Sequence, residues 1–398
     1  MALSFPPPSV DRPSVLLMVA SLTEQLTHYR ERQSEEESAR FPTREFQRLR
    51  EAGLLSITLP YQPLAFDRAP TAQQLHLLKL VGKGNLSVGR IYEGHINALY
   101  LIHLFGTPTQ QSRWYEDAQH GQHLFGVWNT EAKDGITITA QGNGRYRLQG
   151  AKTFCSGSRD VARPIVPGRL IDEHGHDRGW QMCIVPLDEY SEAPMDPTFW
   201  QPLGMKASVS HKIDFSGIVV TEEDLLGQPN DYHRQPYFSG GAIRFAAVQL
   251  GGAEAIFDAT RTYLQQLART DDPYQRMRLG EMATLIETGH LWIQQAGEQA
   301  DRVAASGEAS SDTVSPEQMI NYANMTRSVI EQIGLDVMRL SERCVGARGL
   351  LYPQPFARLH SDLTTYLRQP APDIALAQVG QYVGGQTIPA HALWSDVV

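Results

Sequence analysis

The spacing of hydrophobic positions changes twice along this chain. Up to about residue 120 apolar residues recur at helical intervals. "FPTREFQRLREAGLL" sets Phe46, Leu49, Leu54 and Leu55 close to one face, with Pro42 and Thr43 suited to a helix start and Gly53 to its end. "TAQQLHLLKLVGKGNLSVGRIYEGHINALYLIHLFG" predicts two further helices, broken around Gly82–Asn85. From 121 to about 230 the runs become short and alternating or β-branched. "GRYRLQGAKTFCSGS", "WQMCIVPL" and "SHKIDFSGIVV" are separated by Gly, Asp, Asn and Pro, the pattern of antiparallel strands and turns. Long helical segments then return. "AIRFAAVQLGGAEAIFDATRTYLQQL" and "SPEQMINYANMTRSVIEQIGLDVMRLSERC" are each long enough for a bundle helix. The small, polar stretch Ala304–Ser315 predicts a loop. The expected order is an N-terminal α-helical domain (1–120), a middle antiparallel β domain (121–230) and a C-terminal four-helix bundle (231–398).

Composition narrows the function. With 398 residues, 41 % of them hydrophobic, the chain can bury a large core. A net charge of −9 and the lack of any long Lys/Arg run argue against a nucleic-acid partner. Cys155, Cys183 and Cys344 lie far apart, a poor pattern for disulfides or a thiolate metal site, and no metal is expected. No apolar run is long enough to span a bilayer. The Pro-rich start carries a single basic residue, Arg12, ahead of its apolar run, with Asp11 beside it, so it reads as a flexible lead into a first helix. A soluble, cytoplasmic protein without a membrane partner is expected.

Six motifs then add specificity. "FPTREFQRLREAGLLSITLP", "YLIHLFGTPTQQSRWY", "LFGVWNTE", "YRLQGAKTFCSGS", "GMKASVSHKIDFSGIVVTEEDLLG" and "CVGARGL" follow one another in order. Over roughly Phe41 to Gly380 the chain resembles the acyl-CoA dehydrogenase family, and the resemblance implies the same three-part fold. It also implies FAD, in preference to FMN, bound at a subunit interface of a homodimer or homotetramer. By the same resemblance Trp128, Asn129 and Thr130 face the pyrimidine edge of the isoalloxazine. Phe154 flanks the ring, and the Ser156 hydroxyl bonds N5. Arg269 and Gly346 correspond to positions that reach the flavin of a neighbouring subunit. Arg244, Arg368 and Gln369 are the candidates for substrate contact. One loop departs from the family: "TEAKDGITITAQG" is short and lacks the small-residue run found near the flavin diphosphate.

The resemblance implies oxidation of an acyl-CoA thioester between its α and β carbons, with hydride passing to the flavin N5. That reaction needs a carboxylate to take the α-proton. The family's usual place for it, aligned through Asp362, is occupied by Pro370 in "LRQPAPD". The other place, the start of the first bundle helix, has no acidic residue between Asp231 and Glu254. Asp373 is the nearest substitute, but "PAPDIALAQVG" marks it as a helix N-cap. His360 and His103 can titrate, yet a lone helical His is more often packed. Two alternatives therefore stand beside dehydrogenation. One is a two-component flavin monooxygenase of the same fold, served by a flavin reductase in place of an electron acceptor. The other is a flavin- or acyl-binding protein without turnover.

Overall fold

The computed structural model describes residues 12–32, 36–131, 133, 135–190, 193–305 and 315–394. The expected Pro-rich start, and positions 306–314 of the expected loop, lie outside the described residues. Helices α1 (Arg12–Arg32), α2 (Thr43–Glu51), α3 (Thr71–Gly84), α4 (Leu86–Phe105) and α5 (Pro108–Gln119) come first. Asn85 makes the break between α3 and α4. Its backbone is extended, and its side chain accepts from the Ser87 and Val88 amides at 3.0 and 3.3 Å, which caps α4.

Among the described residues eleven short strands follow. They are β1 (Leu124–Val127), β2 (Thr137–Ala140), β3 (Arg145–Gln149), β4 (Ala151–Cys155), β5 (Val161–Ile165), β6 (Gly168–Ile171), β7 (Asp177–Cys183), β8 (Met195–Asp196), β9 (His211–Asp214), β10 (Val219–Thr221) and β11 (Leu225–Leu226). They form a six-stranded sheet in the order β10-β3-β2-β6-β7-β11, a three-stranded sheet β4-β9-β8, and the pair β1-β5. Pairing is mostly antiparallel, as expected. The pairs β1-β5 and β2-β6 are parallel, because the chain returns to each through intervening strands and not through a hairpin.

The last third consists of α6 (Tyr237–Gly240), α7 (Ala242–Gln266), α8 (Pro273–Ala305), α9 (Pro316–Gly349), α10 (Phe356–Tyr366) and α11 (Pro372–Gly384). Ser315 begins α9 with a capping box, its hydroxyl accepting from the Gln318 amide at 3.0 Å. Among the described residues no helix is long and apolar enough to cross a membrane. The same residues hold no group of His, Cys, Asp and Glu arranged for a metal ion.

Glycine sets how α7 meets the N-terminal helices. A Cβ on Gly251 would sit 2.1 Å from the Lys79 carbonyl oxygen, and one on Gly82 would sit 2.6 Å from that of Val248. A Cβ on Gly89 would meet the Val248 side chain at 2.6 Å. The helices therefore touch backbone to backbone, an approach larger residues forbid. Beside this seam runs a charged clamp. Glu254 on α7 takes Lys79 and Lys83 of α3 at 2.9 and 2.8 Å, Lys83 also reaches Asp258 at 2.7 Å, and His290 of α8 stands 3.5 Å from Glu254.

Two buried contacts join the helices to the strands. His95 of α4 is fully buried. Its Nδ1 accepts from the Phe125 amide at 3.0 Å and its Nε2–H donates to the Leu55 carbonyl at 2.7 Å. Burial pushes its pKa down to about 4, so the ring stays neutral. At the other end Asp362 of α10 accepts from the Met205 amide at 2.5 Å, and Thr365 accepts from the Gly204 amide at 2.9 Å. The C-terminal helices are thereby pinned to the loop between β8 and β9.

The clamp gives a pH-dependent prediction. Burial alone would raise the Glu254 carboxyl, but His290, Lys79 and Lys83 outweigh it and hold the carboxyl far below its ordinary 4.5. Its contribution is then complete above pH 4.5 and is lost as pH falls toward the folded value. Glu254→Gln is expected to cost about 3 kcal/mol at pH 7, as expected for breaking a largely buried pair. Denaturant midpoints should show the gap to wild type narrowing toward pH 3. A gap of the same size at both pH values would mean that the clamp does not carry this stability.

Candidate functional site

The segment "KTFCSGS" leaves β4 through an unusual backbone. Phe154, Gly157 and Ser158 have φ of 54°, 84° and 39°, and the facing loop adds Met205 at 61° and Val209 at 39°. Only the glycine adopts such values freely, and a β-branched Val there is a genuine outlier. Strain of this kind persists where surrounding contacts fix it, and it gathers at binding sites. Here the contacts are visible. Ser158 donates to the Val209 carbonyl, the Gly157 amide donates to the Ser208 carbonyl at 2.8 Å, and Trp128 Nε1 donates to the Ser156 carbonyl at 3.1 Å.

Three hydroxyls form a buried chain: Ser156 and Ser210 are 2.9 Å apart, and Ser210 and Ser208 are 2.8 Å apart. Phe154 is 48 % exposed, and its ring meets Phe199 and Trp200 edge-on at 5.1 and 5.9 Å. The fully buried Lys152 donates to the Asn129 carbonyl at 3.0 Å and reaches Glu131 at 3.3 Å. The Thr130 carbonyl takes the Thr153 amide at 2.9 Å. Thr130 is itself exposed, and the Asn129 Oδ1 is buried without a hydrogen-bond partner.

The residues expected at one edge thus come together, joined by the Trp128–Ser156 bond. The expectation covered neither Ser208 and Ser210, which continue the hydroxyl chain, nor Phe199 and Trp200, which extend the aromatic surface. Arg269 and Gly346 lie in the bundle. Arg269 is half-exposed beyond the end of α7, with Asp272 at 3.6 Å. Gly346 interrupts α9 at φ 58°, ψ −169°, a conformation nearly confined to glycine.

A second cluster joins Arg244, expected at the substrate, to three residues of α4 that the sequence motifs do not single out. Arg90, Glu93 and Asn97 lie on one face of α4. Glu93 is 3 % exposed; one of its oxygens takes Arg90 at 2.7 Å and the other takes the Asn97 amide. Arg244 of α7 is buried beside them, its guanidinium 4.3 Å from the centre of the Tyr100 ring. Burial raises the Glu93 carboxyl against the pull of Arg90 and Arg244, and burial also lowers Arg244. Tyr232 and Tyr366 enclose the group, both raised by burial. The sequence did carry a signal, the i, i+3, i+7 spacing of three polar residues in an otherwise apolar helix.

The C-terminal segment does not supply a base. Arg368 is exposed and pairs with Glu331 at 2.6 Å. The Gln369 amide donates back to the Tyr366 carbonyl at 3.0 Å, and the Pro370 carbonyl accepts from Arg327 at 2.8 Å. The expected N-cap role of Asp373 is not found. Ala371, in the left-handed region, is the cap, Pro372 is the first helical residue, and Asp373 lies exposed in the first turn of α11. A Pro at that position fixes the helix start two residues earlier than the "PD" pattern implied. His360 is buried with Glu342 at 3.3 Å, and His103 packs on Phe66 with ring centres 5.6 Å apart; burial lowers both.

The fold is shared with known proteins. The acyl-CoA dehydrogenase N-terminal domain matches residues 15–122, and the acyl-CoA dehydrogenase C-terminal domain matches 235–367. The chain is 25 % identical to a dibenzothiophene monooxygenase of Mycolicibacterium goodii, over 87 % of this chain and 88 % of that protein. It is 24 % identical to a probable FMNH2-dependent monooxygenase of Pseudomonas putida, over 89 % and 91 %. The crystal structure of FMN-bound TdsC from Paenibacillus sp. A11-2 superimposes with a TM-score of 0.83, covering 96 % of this chain and 100 % of that one at 20 % identity.

If the bend at Phe154 serves a ligand, removing the ring should cost little stability. Phe154→Gly releases left-handed strain while giving up half-exposed packing and adding chain entropy, a net change within about 1 kcal/mol. Thermal unfolding of the variant tests this. A loss of about 3 kcal/mol or more, as for a core Phe, would show the ring to be a packing residue.

Proposed function

The chain belongs to the acyl-CoA dehydrogenase family, and within it we propose a flavin-dependent monooxygenase that oxygenates a small organic molecule. The observation that carries this reading is the state of the carboxylates. Where thioester dehydrogenation needs a base, the chain has Pro370, and the buried carboxylates nearby are engaged. Asp362 accepts from Met205 and faces Arg358 at 3.7 Å, and Glu93 has both oxygens taken. Oxygenation requires no α-proton acceptor. Relatives named as monooxygenases along most of the chain support the same choice over dehydrogenation of an acyl-CoA.

The flavin in this reading is FMN, supplied reduced by a separate reductase. The short loop after Glu131 supports this, since it lacks the run that accompanies a diphosphate, as do the FMN-bound neighbour and the FMNH2-dependent relative. When bound, reduced flavin supplies the two electrons with which one atom of dioxygen enters the substrate and the other leaves as water. The residues present suit such a ring. Asn129 offers an unpartnered buried oxygen, Ser156 and Ser210 offer hydroxyls, and Phe154 with Trp200 offers an aromatic wall that excludes water. Ser156 would hold the ring's N5 edge, with Thr130 at the pyrimidine end. Arg269 and Gly346 remain the residues proposed to reach a flavin in a neighbouring subunit.

Two outcomes test this reading. Reduced FMN, regenerated by a reductase in air enriched in 18O2, should transfer label to one of a panel of neutral and anionic organosulfur compounds. Butyryl-CoA and octanoyl-CoA should leave the bound, oxidised flavin unbleached under anaerobic mixing. Rapid bleaching by either thioester would overturn the proposal.

Assembly is proposed on the exposed apolar surface of the last helices. Leu351 and Tyr352 just after α9 and Ile374 and Leu376 on α11 are 63, 95, 61 and 56 % exposed, large apolar side chains that a partner subunit would take out of water. A homodimer or homotetramer is expected by light scattering at micromolar concentration, and a stable monomer would remove the shared-site role of Arg269 and Gly346.

A further inference from the structure

The cluster on α4 and α7 is unbalanced in charge. It holds two guanidiniums, Arg90 and Arg244, and one carboxylate, Glu93. Arg90 is matched by Glu93 at 2.7 Å. Arg244 is 8 % exposed and has no carboxylate within ion-pair distance among the described residues. Tyr100, as hydrogen-bond partner and as the ring beneath the guanidinium, and Glu93 beyond ion-pair distance offset only part of the cost of removing a full charge from water. The other titratable groups facing the cluster are the phenols of Tyr100, Tyr232 and Tyr366, each raised by burial and so uncharged at neutral pH; beyond Tyr100 lie the Tyr237 phenol and the Asp301 carboxylate, which Thr71 holds at 2.5 Å.

A second observation points the same way. The Tyr366 hydroxyl, on a residue 3 % exposed, is buried without a hydrogen-bond partner. It lies close enough to Glu93 and Arg90 to feel both charges. A buried donor left unpaired is costly, as is an unbalanced guanidinium, and an oxyanion is the kind of partner that each of them lacks. The cluster is also open on one side. Arg90, Asn97 and Tyr100, on one strip of α4, are partly exposed, while Glu93 between them is buried. The neighbouring strip of α4 points to the strained loop: Ile91 would meet a Cβ on Gly157, next to Ser156, at 3.2 Å.

We propose that Arg244, flanked by the Arg90–Glu93 pair and the Tyr366 hydroxyl, is a receptor for the oxyanion of the substrate, a carboxylate or sulfonate group on an otherwise apolar molecule. This rests on the monooxygenase reading for the word substrate, though not for the binding itself. Arg244 supplies the planar fork that such a group requires, Tyr366 donates to a third lone pair, and the aromatic rings pack the rest of the molecule. Glu93 has the opposite effect. It holds Arg90 in place and also limits the positive charge, so that the receptor releases its ligand.

The test is calorimetric titration of the full-length, flavin-free protein with benzoate, benzenesulfonate, the neutral benzamide and inorganic phosphate. The two aromatic anions should bind about tenfold or more tightly than benzamide, the usual gain from a charge-assisted pair. Arg244→Gln should erase that preference, and Arg244→Lys should keep part of it. Glu93→Gln should strengthen anion binding by raising the net charge, a direction that a merely structural role would not produce. It keeps the proposal open to refutation if Arg244→Gln misfolds, which circular dichroism would reveal. Equal binding of benzamide and benzoate, or a preference that survives in Arg244→Gln, would overturn the proposal. So would phosphate displacing benzoate while Arg244→Gln loses FMN, because the anion would then be the flavin's own phosphate. FMN affinity, read separately by fluorescence quenching, distinguishes failure of the flavin reading from failure of the receptor.

Discussion

The close contact of α7 with α3 and α4 is the constraint on which the rest depends. Gly82, Gly89 and Gly251 let helix backbones approach until a single Cβ would overlap a carbonyl oxygen. Packing so close is rigid, since neither helix can slide without meeting the other's main chain. It also fixes register. With Gly89 against Val248, the side chain one turn earlier on α7, Arg244, arrives beside Glu93 and Tyr100 on α4. The charged clamp of Lys79, Lys83 and Glu254 lies on the other side of the seam and aligns the same helices. A buried ion-pair network is weak evidence for net stability, but it specifies alignment, and alignment is what the cluster of guanidiniums requires.

From this seam α4 reaches two regions at once. One strip, through Ile91 and His95, supports the strands, where β4 bends into the left-handed turn that carries Phe154 and Ser156. The next strip carries Arg90, Glu93 and Asn97. The two polar features, a chain of hydroxyls with aromatic neighbours and a buried charge cluster, are therefore held by one rigid helix. Neither depends on a mobile loop for its position. Asp362 and Thr365 complete the arrangement by tying α10 to the loop that holds Met205 and Val209.

The fold was legible in the sequence because its signals are local and periodic. The break at Asn85, the short strands and the long bundle helices each follow from spacing, turn residues and caps. That Trp128, Asn129, Thr130, Phe154 and Ser156 come together was legible because two contiguous motifs carry them. What was missed depends on contacts between distant segments. Glu93 looks like any helix glutamate until α7 covers it, and Ser208 and Ser210 look like loop serines until β4 folds against them. Asp373 failed differently: the "PD" pattern fits a cap, but Pro372 took the first helical position and left the carboxylate in water. Parallel pairing of β1 with β5 was also out of reach, since periodicity identifies a strand and not its neighbour.

The distribution of these features explains how one fold can change its chemistry. The residues that fix the architecture are glycines at helix crossings, caps and buried apolar side chains, and none of them touches a reacting group. The residues that would decide the reaction are few and sit on that frame: position 370 at the end of α10, positions 90 and 93 on α4, and 244 on α7. Replacing a carboxylate by proline at the first removes a proton acceptor without disturbing a helix, because the chain is already turning there and Arg327 holds the Pro370 carbonyl. In the receptor proposed above, guanidiniums at 90 and 244 would favour an anion over a neutral acyl chain. They also disfavour a free carboxylate base, since any acid so near two guanidiniums is drawn into an ion pair, as Glu93 is. Proline at 370 and guanidiniums at 90 and 244 thus act in the same direction, since each leaves this chain without a free carboxylate to take a proton.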